Sequence, residues 1–358
     1  MSLRVLMWTP AAQEIPGGHK VQMERTASAV RSLGVDVVEA IDEEPPIEGF
    51  SVVHGYGLSA QQVRRSREGG TPVCLSTIYC SRRWSLGLDQ RVGGGVQLGR
   101  RIRLAAVLGR SAMRLRHVEK MEDLLVSTTD RRSAFECADL LMPNSALEGE
   151  MIRSELDVTT PMHVVPNGVD PTVFDHGAAA PERDATVLYV GRFEPHKNQL
   201  GLIRALARRP YRLVLVGARH PHHQRYYTRC RATASSGVEF VDPVSQCDLP
   251  AFYGSAAVHA LPSWYETTGL VSLEAAACGA KVVSTDRGYA REYLGDDAWY
   301  CDPADRRSIA SAVDQAMEAP FESALRDRVM TQFTWEQAGK ATVQAYERVL
   351  SRRPAAPR

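Results

Sequence analysis

Two glutamates, Glu266 and Glu274, stand with seven residues between them in the run Pro262-Ser263-Trp264-Tyr265-Glu266-Thr267-Thr268-Gly269-Leu270-Val271-Ser272-Leu273-Glu274. Paired carboxylates can serve as an acid and a base, or they can accept hydrogen bonds from hydroxyl groups. Their context separates the two uses. An apolar strand-like run, Ala257 to Leu261, enters a Pro-Ser turn, and an apolar helical pattern runs from Leu270 to Cys278, closed by Gly279. One carboxylate therefore falls in the loop before a helix and the other about one turn inside it. The free N–H groups of that helix start, around Gly269, Leu270 and Val271, can hold an anion. The layout suits a ligand with phosphate in its middle and hydroxyls at both ends, such as a nucleotide sugar.

A second set of groups opens the run Val187-Leu188-Tyr189-Val190-Gly191-Arg192-Phe193-Glu194-Pro195-His196-Lys197-Asn198. Arg192 would leave the C-terminal end of a strand, where ligands of parallel α/β folds bind, and Lys197 would begin the next helix. An arginine fork and a lysine point charge at this spacing can converge on one diphosphate. Taken alone, the two also fit a pair of surface cations. Gly17-Gly18 lies between the first strand and the first helix; it is either a simple turn or a backbone that approaches a phosphate or sugar closely. His54 at a strand end, Tyr79 at another and His117 are each a structural group or an acceptor-side contact. His220, His222 and His223 match no common metal spacing and read as loop residues. Asp296-Asp297 reads as a turn and Asp302 to Asp305 as a helix N-cap. Neither GxGxxG nor GxxxxGK(S/T) is present.

These groups need a scaffold, and the pattern along the chain supplies one. Strand-like runs at Arg4–Pro10, Val35–Ala40, Ser51–Gly57, Pro72–Tyr79, Leu140–Asn144 and His163–Pro166 alternate with helical stretches such as Val21–Leu33. A second series follows at Thr186–Arg192, Arg212–Gly217, Val238–Val241, Ala257–Leu261, Lys281–Ser284 and Trp299–Cys301. Alternation of this kind predicts parallel sheets covered by helices, and two series predict two doubly wound, Rossmann-like α/β domains facing a cleft. The expected first domain is 1–169, the linker 170–184 and the second domain 185–334, with the helix 335–351 joining the first. Between Cys80 and Val126 the rhythm breaks into a basic stretch with Gly93-Gly94-Gly95 inside it. It is either a solvated helical face, or an insertion that meets the acceptor or an anionic membrane surface.

Together these segments resemble the retaining glycosyltransferases of family 4, which have the GT-B fold. The likeness is strongest from Val187 to Pro303 and extends weakly through Gly17-Gly18 and Val164-Val165-Pro166-Asn167-Gly168-Val169-Asp170, with Phe174 after it. It implies that Arg192 and Lys197 bind the donor diphosphate, with Gly191 beside them, and that Glu266 faces the donor sugar hydroxyls or the reacting centre. It implies too that Thr267, Thr268, Gly269, Leu270 and Val271 line the donor, that Glu274 accepts from the ribose, and that Gly18 lets the first domain approach the diphosphate. No metal or other cofactor would then be required. The chain departs from the family pattern where Thr267-Thr268-Gly269 replaces Gly-Phe-Gly and where Asn198 replaces a glycine. It also has Ile78-Tyr79 at a strand end that often carries a histidine.

Composition limits the remaining choices. The chain has 358 residues, 44% hydrophobic and 24% charged, with a net charge of +1. That is globular, long enough for two domains, and without bias toward nucleic acid. Seven cysteines without paired spacing argue against a disulfide framework or zinc site and fit a cytoplasmic setting, and contact with a membrane surface is one of the alternatives the basic insertion leaves open. The expected activity is transfer of a sugar from a nucleoside-diphosphate donor to an acceptor hydroxyl of a glycan, a lipid-linked sugar or a small molecule. The alternatives are a GT-B phosphorylase, a nucleotide-sugar epimerase or a silent sugar-nucleotide-binding protein.

Overall fold

The computed structural model describes residues 3–10, 18–81, 130–175 and 183–352. Gly17, His117 and nearly all of the basic insertion lie outside the described residues. Strand β1 (Arg4–Thr9) leads to helix α1 (Gly18–Ser32), then β2 (Asp36–Ile41), β3 (Val52–Tyr56), α2 (Ala60–Glu68) and β4 (Val73–Ser76). After a helical stretch over 130–137 come β5 (Leu140–Met142) and α3 (Ala146–Leu156). The sheet order is β2-β1-β3-β4-β5, with every pairing parallel. β3 and β4 are buried throughout, as strands in a sheet covered on both faces are, and their polar members His54 and Ser76 are paired with each other. Ser59 caps α2 reciprocally with Gln62, which satisfies two of the otherwise unpaired N–H groups at its start.

The short helix α4 (Pro171–Phe174) starts on an Asp170 cap and carries Phe174 into the core of the second domain. That domain contains β6 (Asp184–Val190), α5 (Gln199–Leu206), β7 (Arg212–Val216), α6 (Gln224–Thr233), β8 (Val238–Val241), α7 (Leu249–Ser255) and β9 (Ala256–Leu261). It continues through α8 (Leu270–Ala277), β10 (Lys281–Thr285), α9 (Ala290–Leu294), β11 (Trp299–Cys301), α10 (Arg306–Glu318) and α11 (Ala324–Gln332). Its parallel sheet has the order β11-β10-β9-β6-β7-β8. One face packs Leu273, Ala276, Tyr293 and Val329 from α8, α9 and α11. The other packs Leu202, Ile203, Ile309 and Val313 from α5 and α10.

Helix α12 (Trp335–Ser351) returns to the first domain. There Ala345, Tyr346 and Val349 share a core with Val5, Met7 and Val30. The chain thus crosses between domains twice, and the crossings are bonded side by side. The N–H of Val169 donates to Phe333 O at 2.8 Å, and the N–H of Trp335 donates to Val169 O at 3.0 Å.

Two expected elements differ. His163–Pro166 is not a strand: its N–H groups at His163 and Val165 reach Leu141 O and Pro143 O, but Pro161 and Pro166 lack donors, and only a single bridge, Leu141 with Met162, forms. Lys197 does not begin a helix. It ends a 3-10 turn, Pro195–Lys197, and α5 starts two residues later. Asn198 between them is left-handed, at φ 57°, a conformation that asparagine tolerates better than most residues.

Candidate functional site

The C-terminal ends of β6 and β9 bring Lys197 and Glu266 together. Lys197 Nζ donates to Glu266 Oε1 at 2.6 Å, with Glu266 only 5% exposed. Burial opposes ionisation of this carboxyl, but the Lys197 ammonium, with His196 beside it, outweighs burial and holds it below the usual range. The backbone of Glu266 is fixed as well. Its N–H donates to Arg287 O at 3.1 Å, and its carbonyl accepts from the N–H of Tyr289 at 2.8 Å. Gly288 lies against it at φ 106°, and a Cβ there would stand 2.0 Å from Glu266 O, so only glycine fits.

Asn198 ties this pair into the domain. Its Nδ2 donates to Pro262 O at 3.0 Å and to Pro303 O at 2.9 Å, which joins the loops after β9 and β11 to the turn that carries Lys197. Arg192 follows β6. A guanidinium nitrogen lies 3.5 Å from Glu194 Oε1, and its carbonyl accepts from Gln199 Nε2. Gly191, just before it, donates its N–H to Val216 O.

Gly269, at φ 74°, forms the N-cap of α8, so the helix begins at Leu270 with Val271 in its first turn. Thr267 is partly exposed, and Thr268 is buried, its hydroxyl accepting from Asn167 Nδ2 of the crossover segment at 2.9 Å. Glu274 lies one turn into α8. Tyr253 OH donates to its Oε2 at 2.9 Å, and Gln246 Nε2 approaches its Oε1 at 3.4 Å. Burial raises its pKa to about 7, against the pull of Tyr253, Gln246 and Arg25. Arg25 of α1 reaches across from the first domain to Asp170 and Gln246. Near neutrality, Glu274 is therefore poised between a hydroxyl donor and an acceptor of two hydroxyl hydrogens.

On the first-domain side the expectations need correction. His54 is fully buried, its Nδ1 2.7 Å from Tyr346 OH and its Nε2 2.9 Å from Ser76 Oγ. Burial lowers its pKa to about 3. It is a core group that binds α12 to the sheet, not an acceptor contact. Tyr79 is also committed to structure, its N–H donating to Glu148 Oε1 at 2.6 Å and its hydroxyl to Glu155 Oε2 at 2.7 Å. Gly18 is the first residue of α1.

The histidine loop holds more than its spacing implies. Glu194, His220 and His223 present ligand atoms within 4.8 Å of one another. A tetrahedral metal with bonds of about 2.0–2.1 Å needs its ligand atoms about 3.3 Å apart, so these side chains would have to draw in. The sequence reading missed Gln246, Tyr253 and Arg25 around Glu274. None belongs to a motif, and folding alone brings them to one carboxylate.

With the geometry in view, the likeness to known proteins is informative. Residues 174–331 match the family model described as glycosyl transferases group 1. The chain is 31% identical over 251 residues to a D-inositol 3-phosphate glycosyltransferase of Nocardioides, covering 60% of this chain and 54% of that one. It is 31% identical over 171 residues to O-antigen chain mannosyltransferase B of Escherichia coli, covering 45% of each. The chain spans about half the length of these curated relatives. Among solved structures, sucrose-phosphate synthase from Thermosynechococcus elongatus superposes with a TM-score of 0.76 at 19% identity, covering 98% of this chain and 100% of that one. The Anabaena protein HepE, in complex with UDP and glucose, superposes at 0.70 with 15% identity, covering 97% and 100%. The fold is GT-B.

Proposed function

We propose that this GT-B protein is a glycosyltransferase that moves a sugar, with retention, from a nucleoside-diphosphate donor to an acceptor hydroxyl without a metal. The observation that carries the reading is one loop–helix unit holding Glu266 on Lys197 at its start, a helix amino terminus in its middle and buried Glu274 beyond. The likeness of residues 174–331 to group 1 glycosyl transferases supports it, as does the UDP-glucose bound by HepE of Anabaena, a protein of the same fold.

In this reading the diphosphate lies over the start of α8, with Arg192 and Lys197 as its counter-charges. Lys197 exchanges Glu266 for a phosphate oxygen, which leaves Glu266 to orient the donor sugar. The bond between the anomeric carbon and the diphosphate oxygen breaks as the acceptor oxygen bonds to the same carbon on the same face. The acceptor proton passes to the departing phosphate oxygen. Preorganised cations and N–H groups stabilise the growing negative charge, and loss of one such group costs about 3 kcal/mol, or a hundredfold in rate. Glu274 accepts from the two ribose hydroxyls.

The test is transfer from a panel of nucleotide sugars to glycan, lipid-linked and small-molecule acceptors, with product anomers read by NMR. Arg192→Ala, Lys197→Ala, Glu266→Ala and Glu274→Ala are each expected to lose most transfer while folded. Full activity in a double Arg192→Ala, Glu274→Ala variant would sink the assignment.

A further inference from the structure

Behind the Pro195–Lys197 turn, a groove of about 860 Å³ opens between the starts of α5, α6 and α10. Arg204, Arg225, Arg229 and Arg306 line it, with Tyr226 and Trp264, and no aspartate or glutamate does. Among the described residues, none of these four guanidinium groups has a carboxylate partner. Acids near the groove are engaged elsewhere. Asp314 takes Arg209 at 2.7 Å, Asp302 takes Arg287 at 2.6 Å, and Asp305 caps α10 through the N–H of Arg307 at 2.8 Å. In a chain with a net charge of only +1, such a local excess is a feature of this surface and not of the whole protein.

The groove adjoins the site above, but Arg192, Lys197, Glu266 and Glu274 do not line it. α5 and α10 cover one face of the donor-domain sheet, whereas α8, with Glu274, covers the other. The volume falls in the range of small-molecule pockets. Arginine forks match phosphate geometry. Trp264, 37% exposed, offers the apolar surface on which a sugar ring can lie.

We propose that this groove is a second carbohydrate site, which takes a hexose carrying a phosphate group. The inference does not depend on the proposed transfer reaction. The groove also touches the reacting region mechanically. Asn198 and Pro303 line it, and Asn198 Nδ2 bonds to Pro303 O at 2.9 Å beside Lys197.

Titration calorimetry with glucose 6-phosphate, mannose 1-phosphate, inorganic phosphate and glucose tests the idea on the full chain. At least one hexose phosphate is expected to bind about tenfold or more tighter than phosphate or glucose, with affinity falling as salt rises. Arg225→Glu with Arg229→Glu should weaken that binding by about tenfold or more. Arg204→Ala with Arg306→Ala, on other helices, should weaken it in the same sense. UDP titrated into the same proteins reports the donor site, where unchanged affinity is expected, so loss of one reading is distinguishable from loss of the other. The proposal is overturned if no hexose phosphate binds at millimolar concentration. It is equally overturned if phosphate alone binds as tightly, or if both variants retain wild-type affinity.

Discussion

Replacing Glu274 by glutamine removes a titration and keeps the shape, which isolates what the buried carboxyl does. In the folded protein burial raises its pKa to about 7 from the ordinary 4.5. The folded state then holds the proton more tightly than the unfolded chain. Its contribution to stability is fully present below pH 4.5 and is lost as pH rises through 7. At about 1.4 kcal/mol per pH unit, the gap amounts to about 3 kcal/mol. Denaturant unfolding of wild type and Glu274→Gln should therefore diverge by about that amount between pH 4.5 and 8, with the variant gaining. Binding should run the other way. A carboxylate can accept from both ribose hydroxyls, and with a pKa of about 7 its ionised share rises roughly tenfold from pH 6 to pH 8. The dissociation constant of UDP should fall about tenfold over that range in wild type, beyond the change shown by Glu274→Gln. The nucleotide's own phosphate ionises near pH 6 and affects both proteins alike. Calorimetry in buffers of different ionisation heat measures the accompanying proton release. An identical pH slope in the two proteins would refute the claim that Glu274 meets the ribose.

The remaining predictions concern its neighbours. Lys197→Ala strands the Glu266 carboxylate; because Lys197 is 24% exposed, the expected cost is about 1–3 kcal/mol rather than the 3–5 of a fully buried pair, read by thermal melting. Gly288→Ala should abolish transfer by displacing the Glu266 backbone, and a variant with wild-type rate and melting temperature would contradict the close approach described for it. His54→Phe leaves Tyr346 OH and Ser76 Oγ without the ring, at about 1–3 kcal/mol each, while kcat/KM of the folded fraction stays within about twofold. The His54 pKa is depressed, from 6.5 to about 3, so wild type should lose, as pH falls across that window, stability that the variant does not lose.

Much of the fold was legible because its signals are local and repeated. Apolar runs of strand length, each followed by a helical period, mark β6, β7, β9 and β10 to within a residue or two. His163–Pro166 misled because composition records that a segment is apolar, while prolines decide whether it can pair. The Lys197 junction misled in a subtler way. Asn198 before an apolar helix signals a left-handed residue, and that places the lysine on a turn outside α5. The two glutamates stood out because they share one loop and helix. Gln246, Tyr253 and Arg25 did not, since they reach Glu274 from 28, 21 and 249 positions away along the chain. His54 misled because a strand end carries no mark of what will cover it, and here the cover is α12, almost 300 positions later.

The paired crossings at Val169 and Phe333–Trp335 constrain how the two halves can move. Two independent tethers would permit twisting and sliding. Two tethers hydrogen-bonded to each other behave as one strip, stiff in its own plane and compliant about its length. Relative motion of the domains should then favour opening about that strip, once the bonds from the Ala146 and Leu147 N–H groups to Glu292 and from Tyr293 OH to Asn144 O are released. In the arrangement seen here Arg25 stands beside Gln246, and a ligand in the cleft would meet that same opposing surface.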